Sequence, residues 1–225
     1  MVRINLQKAV ALHLAWLGVL SGAFIVMLSE VLPFRLTFVR PDNLFPCLLQ
    51  CQTFFVVLVW PLFLTSLLRE GAAAPEAPEG PGWVYLQVAV LAVFAFPLAL
   101  IAANVSSVGP ATLLGSQLRV GAWGALVAAL FLAGTLRRRR TAPAYFLTAF
   151  LLSAVPPMLH FLVRELAGGP DLSVLRWVSP FWGTLDLDGA VWVQTAIVAA
   201  LAGAAFAAAG KAHSREAATP GAASP

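Results

Sequence analysis

The sequence predicts an all-α polytopic membrane protein: a bundle of six transmembrane helices with both termini cytoplasmic. Three observations carry this. The chain is 60% hydrophobic and only 11% charged, where a soluble domain carries about 25% charged residues. It holds six apolar runs, each near the 20 or so residues that cross a hydrocarbon core about 30 Å thick at 1.5 Å per residue. Its lysines and arginines are shared unevenly between the two sets of loops that those runs define, as they are when basic residues stay on the cytoplasmic side. The runs do not alternate with period two, which excludes the strands of a membrane barrel.

The expected spans cover 9–29, 44–68, 83–104, 117–136, 144–163 and 189–210, so that 1–210 forms one six-helix transmembrane domain. Arg3 and Lys8 precede the first run. Its length exceeds a signal-peptide core and no Ala-x-Ala site follows, so it reads as a retained span. The stretch REGAAAPEAPEGPG after span two reads as a flexible linker, since Pro, Gly and Ala dominate it. Residues 211–225 read as a disordered cytoplasmic tail. Prolines interrupt span two (Pro46, Pro61), span three (Pro97) and span five (Pro156, Pro157). Each removes an N–H and frees a carbonyl that a neighbour must satisfy. In spans four and six, Gly121, Gly124, Ala125, Ala128 and Gly203 give the small-residue spacings that let helix backbones approach closely.

Orientation follows from the basic residues. One side holds Arg3, Lys8, Arg69, the run Arg137, Arg138, Arg139 and Arg140, and then Lys211 and Arg215; the other holds Arg35, Arg40, Arg119, Arg164 and Arg176. The richer side is expected to be cytoplasmic, giving an N-in, C-in protein of a bacterial inner membrane. The four-arginine run lies in a short loop, where the rule is strongest, and also suits anionic lipid or an acidic partner. The net charge of +4 is thus topological. No basic stripe interleaved with aromatics points to nucleic acid.

Candidate chemistry is sparse. Cys47 and Cys51 share a helix face but form neither a Cys-x-x-Cys pair nor a zinc knuckle. His13 and His160 fall at opposite ends of their spans, and His213 lies in the tail. His160 shares the outer level with the two cysteines, a thin basis for a metal site, and no metal is assigned. No phosphate-binding loop and no His-Glu-x-x-His occurs, so no catalytic residue and no cofactor is expected. The ionisable side chains read as a solvated rim, because a charge at mid-membrane costs about 2.5–3.5 kcal/mol on insertion scales. Gln50, Gln52, Gln87, Asn104 and Gln194 read as interhelical hydrogen-bonding groups.

The stretch LRWVSPFWGTLDLDG, Leu175–Gly189, stands apart. Trp177, Phe181 and Trp182 suit the membrane interface, and Pro180 and Gly183 break a helix. The expected element is an interfacial or re-entrant hairpin made of two short helices, with Asp186 and Asp188 leading into the last span, where acids suit a helix N-terminus. Its acidic mouth is also a candidate substrate contact.

With six spans, both termini inside, the motif Trp177-Val178-Ser179-Pro180-Phe181 and the Asp188-Gly189 step into an Ala-rich last span, the chain resembles the membrane subunits of ATP-binding-cassette exporters of the type-2 permease family. That resemblance implies export or membrane extraction of a substrate, driven by a separate cytoplasmic ATPase, with two permease subunits lining the path. Members of that family carry an amphipathic helix before span one and a coupling helix after span two. Here Met1–Lys8 is short, and Gly71–Gly82 has no helical pattern.

Three functions therefore stand. The leading one is a permease-like transporter subunit, with the lipid bilayer, an ATPase and a second copy or other membrane subunits as partners. The second is a membrane scaffold or assembly factor. The third is an outer-leaflet enzyme using His160 with Asp186 or Asp188. The topology has a direct check: a cysteine introduced at Arg138 should react with an impermeant maleimide only after the membrane is opened, whereas one at Asp186 should react in intact cells.

Overall fold

The computed structural model describes residues 5–31, 40–73, 82–136, 141–182 and 190–217, and all regular structure among them is helical. Helix α1 spans Leu6–Val31. A 3-10 turn, Pro41–Asn43, leads into α2, Leu44–Phe54. One π-helical turn, Phe55–Val59, joins α2 to α3, Trp60–Ala73, as a single span. Then come α4, Gly82–Val105, and α5, Pro110–Leu136. Helix α6, Thr141–Phe161, is extended by a π-helical turn, Leu162–Leu166. A 3-10 turn, Ser173–Trp177, precedes α7, Ala190–Ala217. The spans of α1, α2–α3, α4, α5 and α6 are long and apolar enough to cross a membrane, and the apolar part of α7, Val191–Ala207, is shorter. The protein is a multi-pass membrane bundle of five to six spans.

The helices alternate in direction. The Asn5 N–H donates to Leu67 O (3.4 Å), setting the start of α1 beside the end of α3. Phe131 and Tyr145 meet edge-on at 5.0 Å, setting the end of α5 beside the start of α6. Ser106 in the α4–α5 turn accepts the Phe45 N–H (3.0 Å) and donates to Pro41 O (2.7 Å). This hydroxyl ties the turn to the start of α2. Ser107 next to it has φ 54°, the left-handed geometry of a tight reversal.

Helix α5 is the hub, packing on α2, α3, α4, α6 and most extensively on α7. Small residues make this possible. A Cβ on Gly124 would lie 2.6 Å from Val88 Cγ1 and 3.2 Å from Val56 Cγ1, so α4 and the α2–α3 span close on it. Ala128 and Ala129 are fully buried. Gly115 faces Trp192, whose ring would meet an added Cβ at 3.1 Å. Ala125 is half-buried. At Gly121 and Gly203 an added Cβ meets open space, and Gly203 is exposed, so these two glycines make no close approach within the chain. On α7 the residues facing inward are Val191, Gln194, Val198 and Ala202, the 3–4 spacing of one helix face.

Several buried polar groups pair across helices, which satisfies them away from water. Pro61 lacks the N–H that Val57 O would accept in an α-helix, and the Tyr145 hydroxyl donates to that oxygen instead (2.5 Å). Gln117 Nε2 donates to Gln52 Oε1 (3.0 Å). Trp60 Nε1 donates to Gln87 Oε1 (3.3 Å), and His13 places its ring nitrogens at Ala9 O and Gln87 O. Asn104 instead turns back on its own helix, donating to Leu100 O (2.8 Å).

Three expectations on extent are corrected. Residues 211–217 continue α7 rather than starting a disordered tail; Lys, Ala, Arg and Glu there are good helix formers and prolong a helix already nucleated. The fourth span begins at Pro110, not at 117, because a proline at the first helical position needs no N–H partner. The linker expected over 69–82 is shortened as well: residues 69–73 continue α3 and Gly82 opens α4, while 74–81 and Arg137–Arg140 lie outside the described residues.

The glycine geometry gives a paired test. Gly124→Ala should lower the thermal stability of the detergent-solubilised protein by about 1–3 kcal/mol, the usual cost of overpacking. Gly203→Ala should leave it unchanged.

Candidate functional site

The site is built around one buried cation. Arg119 is 1% exposed, although it lies well inside an apolar helix. It was expected on the solvated rim, and the structure corrects this. With α5 starting at Pro110, Arg119 sits nearly three turns into the helix, facing α7. Its Nη1 donates to Gln194 Oε1 (3.2 Å). Gln194 Nε2 in turn donates to Ser179 O (3.1 Å) and Arg176 O (3.4 Å). One amide therefore bridges a guanidinium on α5 and the backbone of the loop after α6. Thr195, the next residue, donates to Val191 O (2.6 Å) and lies 3.4 Å from Gly115 O.

The loop held this way is re-entrant. Ser179 is fully buried, and its Oγ accepts the Trp182 N–H (3.2 Å), closing a turn around Pro180 and Phe181. Phe181 meets Phe54 at 6.2 Å between ring centroids. Phe54 lies near the middle of the Pro41–Leu68 span, and Phe181 also packs against Val57, Trp123, Ala149 and Val198, so the turn sits at mid-span depth instead of resting at headgroup level. Of the two short helices expected here, one is present as the 3-10 turn Ser173–Trp177. Asp186 and Asp188 lie outside the described residues, and for Trp177 the backbone alone is described.

Two cavities flank this turn. Pro180 closes one of about 340 Å³, whose walls include Trp123, Val127, Tyr145 and Leu152 from α5 and α6. Phe181 borders another of about 840 Å³ between α1 and the α2–α3 span, where Cys47, Gln50 and Cys51 also lie. Both are lined almost wholly by apolar side chains. The signal for this arrangement was partly visible in Ser-Pro-Phe-Trp. The partner residues Arg119 and Gln194 were not assigned to it, because nothing local connects positions so far apart in sequence.

At the far end of α6, His160 stacks obliquely on Trp182 at 4.9 Å. Its Nδ1 lies 3.5 Å from Asp171 Oδ1, and Arg164 Nη1 lies 3.8 Å from the same oxygen. Asp171 Oδ1 also accepts the Ser173 N–H (2.9 Å). That backbone bond, with Arg164 and His160 beside it, holds the exposed carboxyl below the usual carboxylate range. This cluster pins the start of the re-entrant loop. The structure brings His160 to Asp171 and not to the cysteines, and among the described residues no three His, Cys, Asp or Glu gather as a metal site.

Comparison with protein-family models, curated proteins and solved structures returns no match to this chain.

The node predicts how the loop is released. Gln194→Leu removes the acceptor for Arg119 and the donor for Ser179 O. A hydrogen bond to a charged group contributes about 1.5–3 kcal/mol. In a Phe181→Cys background with Cys47 and Cys51 replaced by Ala, this change should raise the maleimide reaction rate at position 181 several-fold. Circular dichroism should show the helices retained.

Proposed function

We propose that this chain is a permease-like membrane subunit of a transporter, energised by a separate ATPase, in a bacterial inner membrane with both termini cytoplasmic. The observation that carries the reading is the turn Ser179–Trp182, wedged between two cavities and held there by the Arg119–Gln194 node. A plug with one cavity on each side is an element with two available positions. Transporters place irregular backbone at membrane depth where it lines a cavity. The 225 residues contain no phosphate-binding loop, and this reading assigns the energy for moving such a plug to a separate ATPase. The distribution of basic residues, nine against four once Arg119 is withdrawn into the interior, favours cytoplasmic termini.

A second reading, a scaffold or assembly factor, draws on α7. Its outward face exposes Ala196, Ala199, Ala200 and Gly203, a small-residue surface on which another membrane helix can pack closely. The outer-leaflet enzyme draws less support, since the carboxylate that His160 meets is Asp171, already engaged by Arg164 and the Ser173 N–H.

The two leading readings separate in one experiment. The tagged protein, at native expression and in mild detergent, should bring down a stoichiometric ATPase with a phosphate-binding loop. The reconstituted pair should hydrolyse ATP faster than the ATPase alone, and Gln194→Leu should alter that stimulation at least twofold. Recovery of other membrane proteins with no ATPase overturns the permease reading in favour of the scaffold.

A further inference from the structure

We propose that the larger cavity is a lateral binding groove for one acyl chain of a membrane phospholipid, with the phosphate of that lipid beside Lys8. This goes beyond the permease reading and rests on the membrane reading alone, so it stands or falls separately from any ATPase.

The shape of the groove selects the ligand. Along the α2–α3 span its wall runs from Cys47 to Phe63. The sixteen steps between them, at 1.5 Å each, make about 24 Å, most of a hydrocarbon core about 30 Å thick. The groove is therefore long and parallel to the helix axes. Its floor is the stacked pair Trp16 and Phe55, with centroids 4.0 Å apart. Its lips are Val19 and Phe54, 64% and 51% exposed, so it opens sideways toward lipid. An extended hydrocarbon chain matches this length.

The chemistry agrees with the shape. Among the lining residues the polar groups are the amide of Gln50, the two thiols and the indole N–H of Trp16, and none carries a carboxylate. On α1 the lining residues Leu12, Ala15, Val19 and Ala23 form one stripe. Lys8 continues that stripe one turn further, and it is exposed. It lies near the level where Asn5 bonds Leu67 O, at the end of the bundle where a headgroup would meet the helix ends. A lysine there extends its ammonium toward a lipid phosphate while its stem covers apolar surface. The groove and its cation thus complement the two halves of a phospholipid.

The test uses the full chain in nanodiscs of phosphatidylethanolamine and phosphatidylglycerol, doped with a phosphatidylglycerol that carries a diazirine in mid-chain. After photolysis, adducts are mapped by peptide mass spectrometry. They should concentrate on Ala15, Val19 and Cys51. Ala15→Trp, which fills the groove from an exposed position, should cut these adducts at least fivefold and leave those on the outward residues Leu14 and Ile25 unchanged. Ala23→Phe provides the same block should Ala15→Trp not fold. Lys8→Glu should lower the groove adducts several-fold. Adducts spread evenly over Leu14, Ile25 and the groove overturn the proposal, as does a groove-filling variant with no effect. So does cross-linking of a second copy or another membrane helix into the groove in place of lipid.

Discussion

A guanidinium buried among helices is the constraint on which the rest of this bundle depends. Moving an arginine into a membrane-spanning helix costs about 2.5–3.5 kcal/mol even on the lenient insertion scales. Arg119 cannot reach solvent from its position, since it is fully buried, so the protein must supply polar partners for it. Gln194 is one, and Gln194 has a second side to satisfy. The backbone carbonyls of Arg176 and Ser179 meet that need, which draws the chain after α6 inward. The depth of the re-entrant turn is thus a consequence of where one cation sits.

The same constraint explains the small residues on α5. For Arg119 and Gln194 to meet, α5 and α7 must run side by side at short separation, and Gly115 lets the Trp192 ring come within 3.1 Å of where a Cβ would be. Gly124 does the equivalent for α4, through Val88. Van der Waals contact between such faces replaces the hydrophobic drive that lipid does not provide. The prolines are accommodated in the same economy of polar groups. Pro61 leaves Val57 O without its intrahelical donor, the π-helical turn Phe55–Val59 precedes it, and Tyr145 on α6 reaches across to complete the bond. One imperfection in the α2–α3 span therefore fixes the position of another helix.

Much of this architecture is legible in the sequence, because run length and composition report directly on the thickness of a bilayer. The helical class, the multi-pass character, the proline-freed carbonyl at Val57 and the helix-breaking turn around Pro180 all follow from local rules. Arg119 was misplaced for a local reason too. The apolar pattern becomes dense at 117, and the start signal at Pro110 lies in a polar stretch. Moving the start outward by two turns carries Arg119 from rim to interior. The partnership of Arg119, Gln194 and Ser179 was illegible for a different reason. It joins three elements distant in sequence, and each residue alone has an ordinary explanation. Gly203 shows the converse, since a spacing that permits close packing does not say which neighbour will use it.

The two cavities acquire meaning from the turn that divides them. Pro180 and Phe181 are adjacent in sequence, yet they line separate spaces. The turn is held by polar contacts at its base and by apolar packing at its tip, where Phe181 meets Phe54 and the cluster of Val57, Trp123, Ala149 and Val198. The base lies at α5 and α7, which form the most extensive helix pair, so a shift between those two helices acts directly on the turn.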